Sequence, residues 1–220
     1  AMTGEFNAKQ MQDLITHQFA TWSSKQSYQR LSSAYKNYPA TQVHALAEQR
    51  EFGNYQGLLV LPVGIDDTDA PALQVLSYIL GDSQLSSRLG QELREKNHLV
   101  YGFSSDLNLD LHDSVGVLTI QANYTANKAA QTSQAVHHVL QDLIQNGITP
   151  QELAAAKANI LKQRVTSLED SRIIHQMLNS QLERGKTMLS REQRDQAIAR
   201  LSKADVDSVI KKYIQCFKYG

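Results

Sequence analysis

Cysteine is nearly missing from this 220-residue chain: the single one, Cys216, excludes an internal disulfide framework and any cysteine-built metal cluster. Charge of one sign is missing too. Lys plus Arg and Asp plus Glu both total 22, so the formal net charge is zero, and nothing here suits nucleic acid or an anionic membrane as main partner. Aromatic residues make up 7% of the chain, and the tyrosines are scattered instead of interleaved with Lys and Arg as a base-stacking platform requires. No apolar run approaches the roughly 20 residues of a membrane span, and Ala1 to Gly4 show no signal-peptide pattern. Ala1 ahead of Met2, together with the abrupt ends, reads as a piece excised from a longer chain.

Self-sufficient catalytic signatures are absent as well. There is no GxxxxGK(S/T) or GxGxxG phosphate cradle, no GxSxG nucleophile elbow, and neither HExxH nor HxxEH. The seven histidines form no ligand set by spacing. His137 and His138 are neighbours on an expected helix, where side chains diverge by about 100°. His44 and Glu48 fall on an expected strand, where four residues separate them by about 13 Å.

What is present is patterning. Met11, Leu14, Ile15, Phe19 and Trp22 recur at helical spacing and predict an amphipathic helix over Asn7–Trp22, followed by a polar Ser/Tyr-rich linker ending at Pro39. Residues 1–39 thus form a leading helix and linker, and 40–220 a single core. Alternation predicts a strand at Thr41–Glu48, a connection at Arg50–Asn54 and a buried strand at Tyr55–Val63. The Gly64–Asp69 turn and Pro71 open a helix running to Leu80, which Gly81 ends. A second helix, Gln84–Lys96, would bury Leu85, Leu89 and Leu93. Paired strands at His98–Leu109 and Ser114–Tyr124 follow, around Leu111-His112-Asp113.

The rest is helical: Lys128–Gln145, Leu153–Leu168 behind a Thr149-Pro150-Gln151-Glu152 capping box, Ser171–Glu183, Ser190–Leu201, and Ser202–Ile214 behind Ser202-Lys203-Ala204-Asp205. Clustered strands without strict strand-helix alternation predict an α+β fold, an antiparallel-rich sheet with helices mainly on one face.

One pair of residues invites chemistry. Arg94 and Tyr101 stand seven positions apart across the helix-to-strand break Lys96-Asn97-His98. Continuous helix would separate them by about 10 Å along its axis and extended chain by about 24 Å. A break can bring both into one cleft, where a guanidinium and a phenol could grip a carbonyl or a developing oxyanion. The plain alternative is a solvated cationic helix end beside a tyrosine covering the sheet.

Taken in order, Thr3-Gly4-Glu5-Phe6 with its helix, Leu58–Gly64, Ser87-Arg88-Leu89, Glu92-Leu93-Arg94-Glu95-Lys96, Leu99-Val100-Tyr101-Gly102 and Ile148-Thr149-Pro150-Gln151-Glu152-Leu153 resemble a known family. They are similar to the second, non-zinc domain of pitrilysin/insulysin-type inverzincin metallopeptidases, which include the mitochondrial-processing-peptidase-like branch. The resemblance implies one half of a LuxS/MPP-like clamshell, facing an HxxEH-bearing zinc domain, in the same or another chain, across a peptide-substrate chamber. It implies no cofactor in this half, zinc in the partner domain, and a half that is inactive alone. Arg94 would anchor substrate carbonyls and Tyr101 would stabilise the oxyanion. A non-catalytic scaffold or assembly module is the alternative that the same fold implies. The setting implied is periplasmic or extracytoplasmic, and apolar surface left by a missing half would favour self-association. One departure stands out: Asn97-His98-Leu99 occupies the place where many relatives carry a glycine shortly before the tyrosine.

Overall fold

The computed structural model describes residues 1–45 and 51–216. Helix α1, Ala8–Phe19, opens the chain, with Asn7 as its cap accepting from the Gln10 amide at 3.0 Å. The expected apolar face is there, but none of its residues is buried. Residues 20–45 contain no helix or strand. The expected strand at Thr41–Glu48 is therefore not seen over 41–45, and its last three positions lie outside the described residues. Val43, which alternation alone would turn inward, is exposed. His44 of the His44/Glu48 pair sits in the same irregular stretch, and Glu48 lies outside the described residues.

Three antiparallel strands form one sheet in the order β1-β3-β2: β1 is Phe52–Leu61, β2 Val100–Leu109 and β3 Gly116–Thr125. The β2-β3 hairpin turns through residues 110–115, as the alternation and the Leu111-His112-Asp113 break lead one to expect. Phe52–Asn54, expected as a connection, instead begins β1 and pairs with Thr125–Asn123. Gly53, which suggests a turn in sequence, sits in the strand because the Tyr124 ring lies where its side chain would be: a Cβ there would meet Tyr124 Cε2 at 2.4 Å.

One sheet face is apolar, and on it Leu59, Leu118 and Leu107 align in register across all three strands. Helices α2, Ala70–Ser77, and α3, Ala129–Asn146, pack here, α3 burying Val136, Val139, Leu140 and Leu143. Burying each such side chain contributes about 1.5–3 kcal/mol. The opposite face presents Asn54, Gln56, Asp106 and Gln121 to solvent. This α+β layering matches the expectation from sequence.

The remaining helices are α4, Pro150–Thr166, α5, Ser171–Glu183, α6, Met188–Arg200, and α7, Lys203–Tyr213. Both capping boxes form, Thr149 with Glu152 and Ser202 with Asp205. Asp69, the last residue of the Gly64–Asp69 turn, stands at the cap position of α2, but its side chain makes no capping hydrogen bond. Its carboxylate instead accepts from Lys212 Nζ and Tyr213 Oη, both at 2.7 Å, joining the start of α2 to α7. These bonds, Lys212 first and Tyr213 next, hold Asp69 below the usual carboxylate range. Among the described residues no helix is long and apolar enough to cross a membrane.

Candidate functional site

The stretch that runs from the end of α2 into the start of β2 carries both candidate residues, Arg94 before the strand and Tyr101 as its second residue. The sequence predicts two regular helices here, whereas the backbone winds more widely. α2 runs on through the π-type turn Tyr78–Asp82, a short 3-10 turn follows at Gln84–Ser86, and a second π-type segment spans Gly90–Lys96. Wide winding changes the phase of the side chains. Leu89 and Leu93 are fully buried as expected, but Leu85 is exposed, a correction to the expected stripe. Close packing explains the glycine at the start of the second segment: a Cβ on Gly90 would stand 2.4 Å from the Gln84 carbonyl oxygen and 3.0 Å from the Phe103 ring.

Arg88 anchors this segment to the helices behind it. Its guanidinium donates to both Glu152 oxygens, at 2.7 and 2.9 Å, to Asp142 at 2.7 Å and to the Gly147 carbonyl at 2.8 Å. Glu152 is at the same time the capping residue of α4, accepting from the Thr149 amide at 2.6 Å. One planar side chain thus ties the segment to the end of α3 and the start of α4, a role that suits arginine and not lysine.

Arg94 leaves the last turn of this anchored segment into solvent, and among the described residues it makes no hydrogen bond or ion pair. Its neighbours are organised by Glu92. That carboxylate accepts from Asn97 Nδ2 at 2.9 Å and Lys96 Nζ at 3.2 Å, and lies 3.8 Å from His138 Nδ1. The Glu92 carbonyl also accepts from Asn97 Nδ2, at 2.7 Å, which closes the turn. Glu92 is a residue whose part spacing only half reveals: the i,i+4 relation to Lys96 is legible, the contact with Asn97 is not.

The chain then reverses through His98, whose φ of 48° lies in the left-handed region. This accounts for the departure noted in sequence. The reversal that glycine makes without cost is made here by histidine, and Lys128 Nζ holds the His98 carbonyl at 2.8 Å. Leu99 is buried and its amide returns to the Leu93 carbonyl at 2.8 Å, closing the helix-to-strand junction.

Tyr101 follows immediately. Val100 pairs with Tyr124 and Gly102 with Asn123, so Tyr101 is the extra residue of a β-bulge, a device that re-aims a side chain. The residue is 57% exposed, and its ring meets Phe52 edge-on, centroids 5.4 Å apart and planes at 76°. Both sequence candidates are therefore solvent-facing at the two sides of one junction, and no hydrogen bond joins them. Among the described residues no group of three His, Cys, Asp or Glu side chains is placed to hold a metal ion.

The sequence model for the Peptidase M16 inactive domain matches residues 1–160. A zinc protease of Mycobacterium tuberculosis (strain ATCC 25618 / H37Rv), named as uncharacterized, is 38% identical over 100 residues, which are 46% of this chain and 22% of that protein. Among solved structures, a protease from Helicobacter pylori superposes with a TM-score of 0.75 at 22% identity, over 94% of this chain and 50% of that one. The peptidase M16 inactive domain from Pseudomonas fluorescens superposes with a TM-score of 0.63 at 24% identity, over 74% of this chain and 38% of that one. These superpositions show a shared fold, and the chain spans half or less of each of these relatives. With its model matched across nearly three-quarters of the sequence, the chain belongs to the Peptidase M16 inactive domain family.

Proposed function

We propose that this chain is the substrate-clamping, non-zinc half of a zinc-dependent endopeptidase, and that it hydrolyses peptide bonds only together with an HxxEH-bearing half. Arg94 grips backbone carbonyls of the bound peptide, and Tyr101 donates a hydrogen bond to the oxyanion that develops at the scissile carbonyl. The metal, with its Lewis acidity, belongs to the HxxEH-bearing half, a reading supported by the zinc-protease names of the sequence relatives. Peptide is the substrate class, as the zinc-protease names of the sequence relatives suggest.

The observation that carries the reading is the state of Arg94. The arginines that hold the fold together are engaged, Arg88 with Glu152 and Asp142 and Arg184 with Asp66 at 2.6 Å. Arg94 stands exposed on an anchored segment with its donors uncommitted among the described residues. A solvent-exposed guanidinium on the same helix-to-strand junction as an exposed phenol has donors available to a peptide backbone.

The test uses the protein in which this chain is joined to its HxxEH half. Arg94→Ala is expected to lower kcat/KM for peptide hydrolysis at least tenfold, and Arg94→Lys to restore only part of it, because lysine lacks the planar fork. Hydrolysis unchanged in Arg94→Ala and in Tyr101→Phe would overturn the clamping role and leave a scaffold that has merely kept the fold.

A further inference from the structure

Helix α1 presents a complete apolar stripe that nothing in the described chain covers. Trp22 just beyond the helix is 73% exposed, Phe19 62%, Leu14 53% and Ile15 38%, and no α1 residue is buried. Met2 and Phe6, also exposed, extend the stripe and border an apolar depression with Met11 and Ile15. Exposed single hydrophobes need no explanation, but a contiguous helical face of them does. We infer that this face is a docking rib for the HxxEH-bearing half, packed against it when the two halves form one protein. The inference rests on the reading of the chain as one half of a peptidase.

Three occupants compete, and the observations separate them. A membrane surface suits an amphipathic helix whose polar side is rich in Lys and Arg. The polar side of α1 carries Lys9, Asp13 and His17 among glutamines, so it has no cationic excess to bring to a lipid headgroup. A second copy of the chain is disfavoured by size. A helix of 12 residues is about 18 Å long and 10 Å wide, a footprint of a few hundred Å², well below the roughly 800 Å² per partner of a stable dimer.

A half carried in the same protein needs far less area, because a tether holds it at an effective concentration of order millimolar. The relatives have the length for it. The Helicobacter pylori protease matches 94% of this chain with only 50% of its own, so as much protein again lies outside the match. The family match begins at residue 1, so α1 belongs to the family's pattern and is not an appendage to it.

Trp22 is the only tryptophan in the chain, which makes the inference directly measurable. In the longer protein that contains the HxxEH half, Trp22 is replaced biosynthetically by 5-fluorotryptophan and its resonance assigned by Trp22→Phe. Its accessibility to a paramagnetic quencher is then compared with that in the chain alone. The expected result is accessibility in the chain alone and at least a several-fold loss of it in the longer protein. Leu14→Glu with Phe19→Glu, at positions this chain does not bury, is expected to restore accessibility in the longer protein while leaving the melting temperature of the chain alone unchanged.

Equal accessibility in both proteins overturns the inference. So does shielding in the chain alone that rises with concentration, which would assign the face to a second copy. Restoration absent in the double variant overturns it too. The outcome is separable from the clamping role, since Trp22 reports on docking whether or not Arg94→Ala and Tyr101→Phe slow hydrolysis.

Discussion

Helices α1 and α3 carry apolar stripes of the same kind, yet α3 buries six residues and α1 buries none. The difference is in what each stripe faces. α3 lies on the inner sheet face, where Ile120, Leu118 and Ala122 already form a surface complementary to Val136, Leu140 and Leu143. α1 precedes an irregular stretch of some 25 residues and meets no such surface among the described residues. Periodicity makes a helix amphipathic, but only tertiary context supplies the partner that turns amphipathicity into stability.

The comparison can be broken most forcefully at α3. Leu140→Ala is expected to destabilise the chain by about 2–5 kcal/mol in urea unfolding, because Leu140 is fully buried. Next in size is Arg88→Ala, which strands Glu152 and Asp142 without their shared donor. A loss of about 1.5–3 kcal/mol is expected, with hydrogen exchange rising first at the start of α4. A loss below 0.5 kcal/mol would show that the α3-α4 corner is held by packing alone.

The arm behind α1 provides a third and smaller test. Asp113 holds it to the hairpin: its carboxylate accepts from Arg30 Nη1 at 2.8 Å and Nη2 at 2.5 Å and from the Ser33 amide at 2.6 Å. The Arg30 bonds first, then the Ser33 amide, bring Asp113 down to about 2 from its usual 3.8. A carboxyl lowered on folding contributes stability that is complete above the unfolded value and is lost as pH falls through the folded one. The arm is therefore expected to stay latched above pH 3.8 and to release as pH approaches 2, read as faster intrinsic-rate-corrected hydrogen exchange at Ser33. Release already complete at pH 5 would contradict the latch.

Phe19→Ala closes the series: in the chain alone it is expected to change stability by no more than about 0.5 kcal/mol, the counterpart of Leu140→Ala on a stripe of equal pattern. A loss of 2 kcal/mol or more would mean that α1 is packed after all.

The same contrast governs how much of the molecule its sequence reveals. α4 and α7 begin where their capping boxes put them, because Thr149/Glu152 and Ser202/Asp205 satisfy helix-end donors locally, with no help from the rest of the fold. Readings that depended on a distant partner fared worse. Alternation at Val43 and Ala45 imitates a strand but has no sheet neighbour over 41–45. The connection read at Arg50–Asn54 gives way to strand from Phe52, where Gly53 leaves room for the Tyr124 ring of the neighbouring strand. Leu85 falls out of register because the backbone around it winds in wide turns that leucine spacing does not announce. At the candidate site, Arg94 and Tyr101 could be singled out by spacing and resemblance, whereas the Glu92-Asn97 bond, the left-handed His98 and the bulge at Tyr101 arise from packing between segments and needed coordinates.

The central claim, that this half lends hydrogen-bond donors to a peptide hydrolysed with a second half, is tested most directly by kcat of Tyr101→Phe in the joined protein. Removing one oxyanion donor costs about 2–4 kcal/mol of transition-state stabilisation, so a fall in kcat of about a hundredfold is expected, with KM and melting temperature nearly unchanged. A kcat equal to that of the unaltered protein would contradict the account.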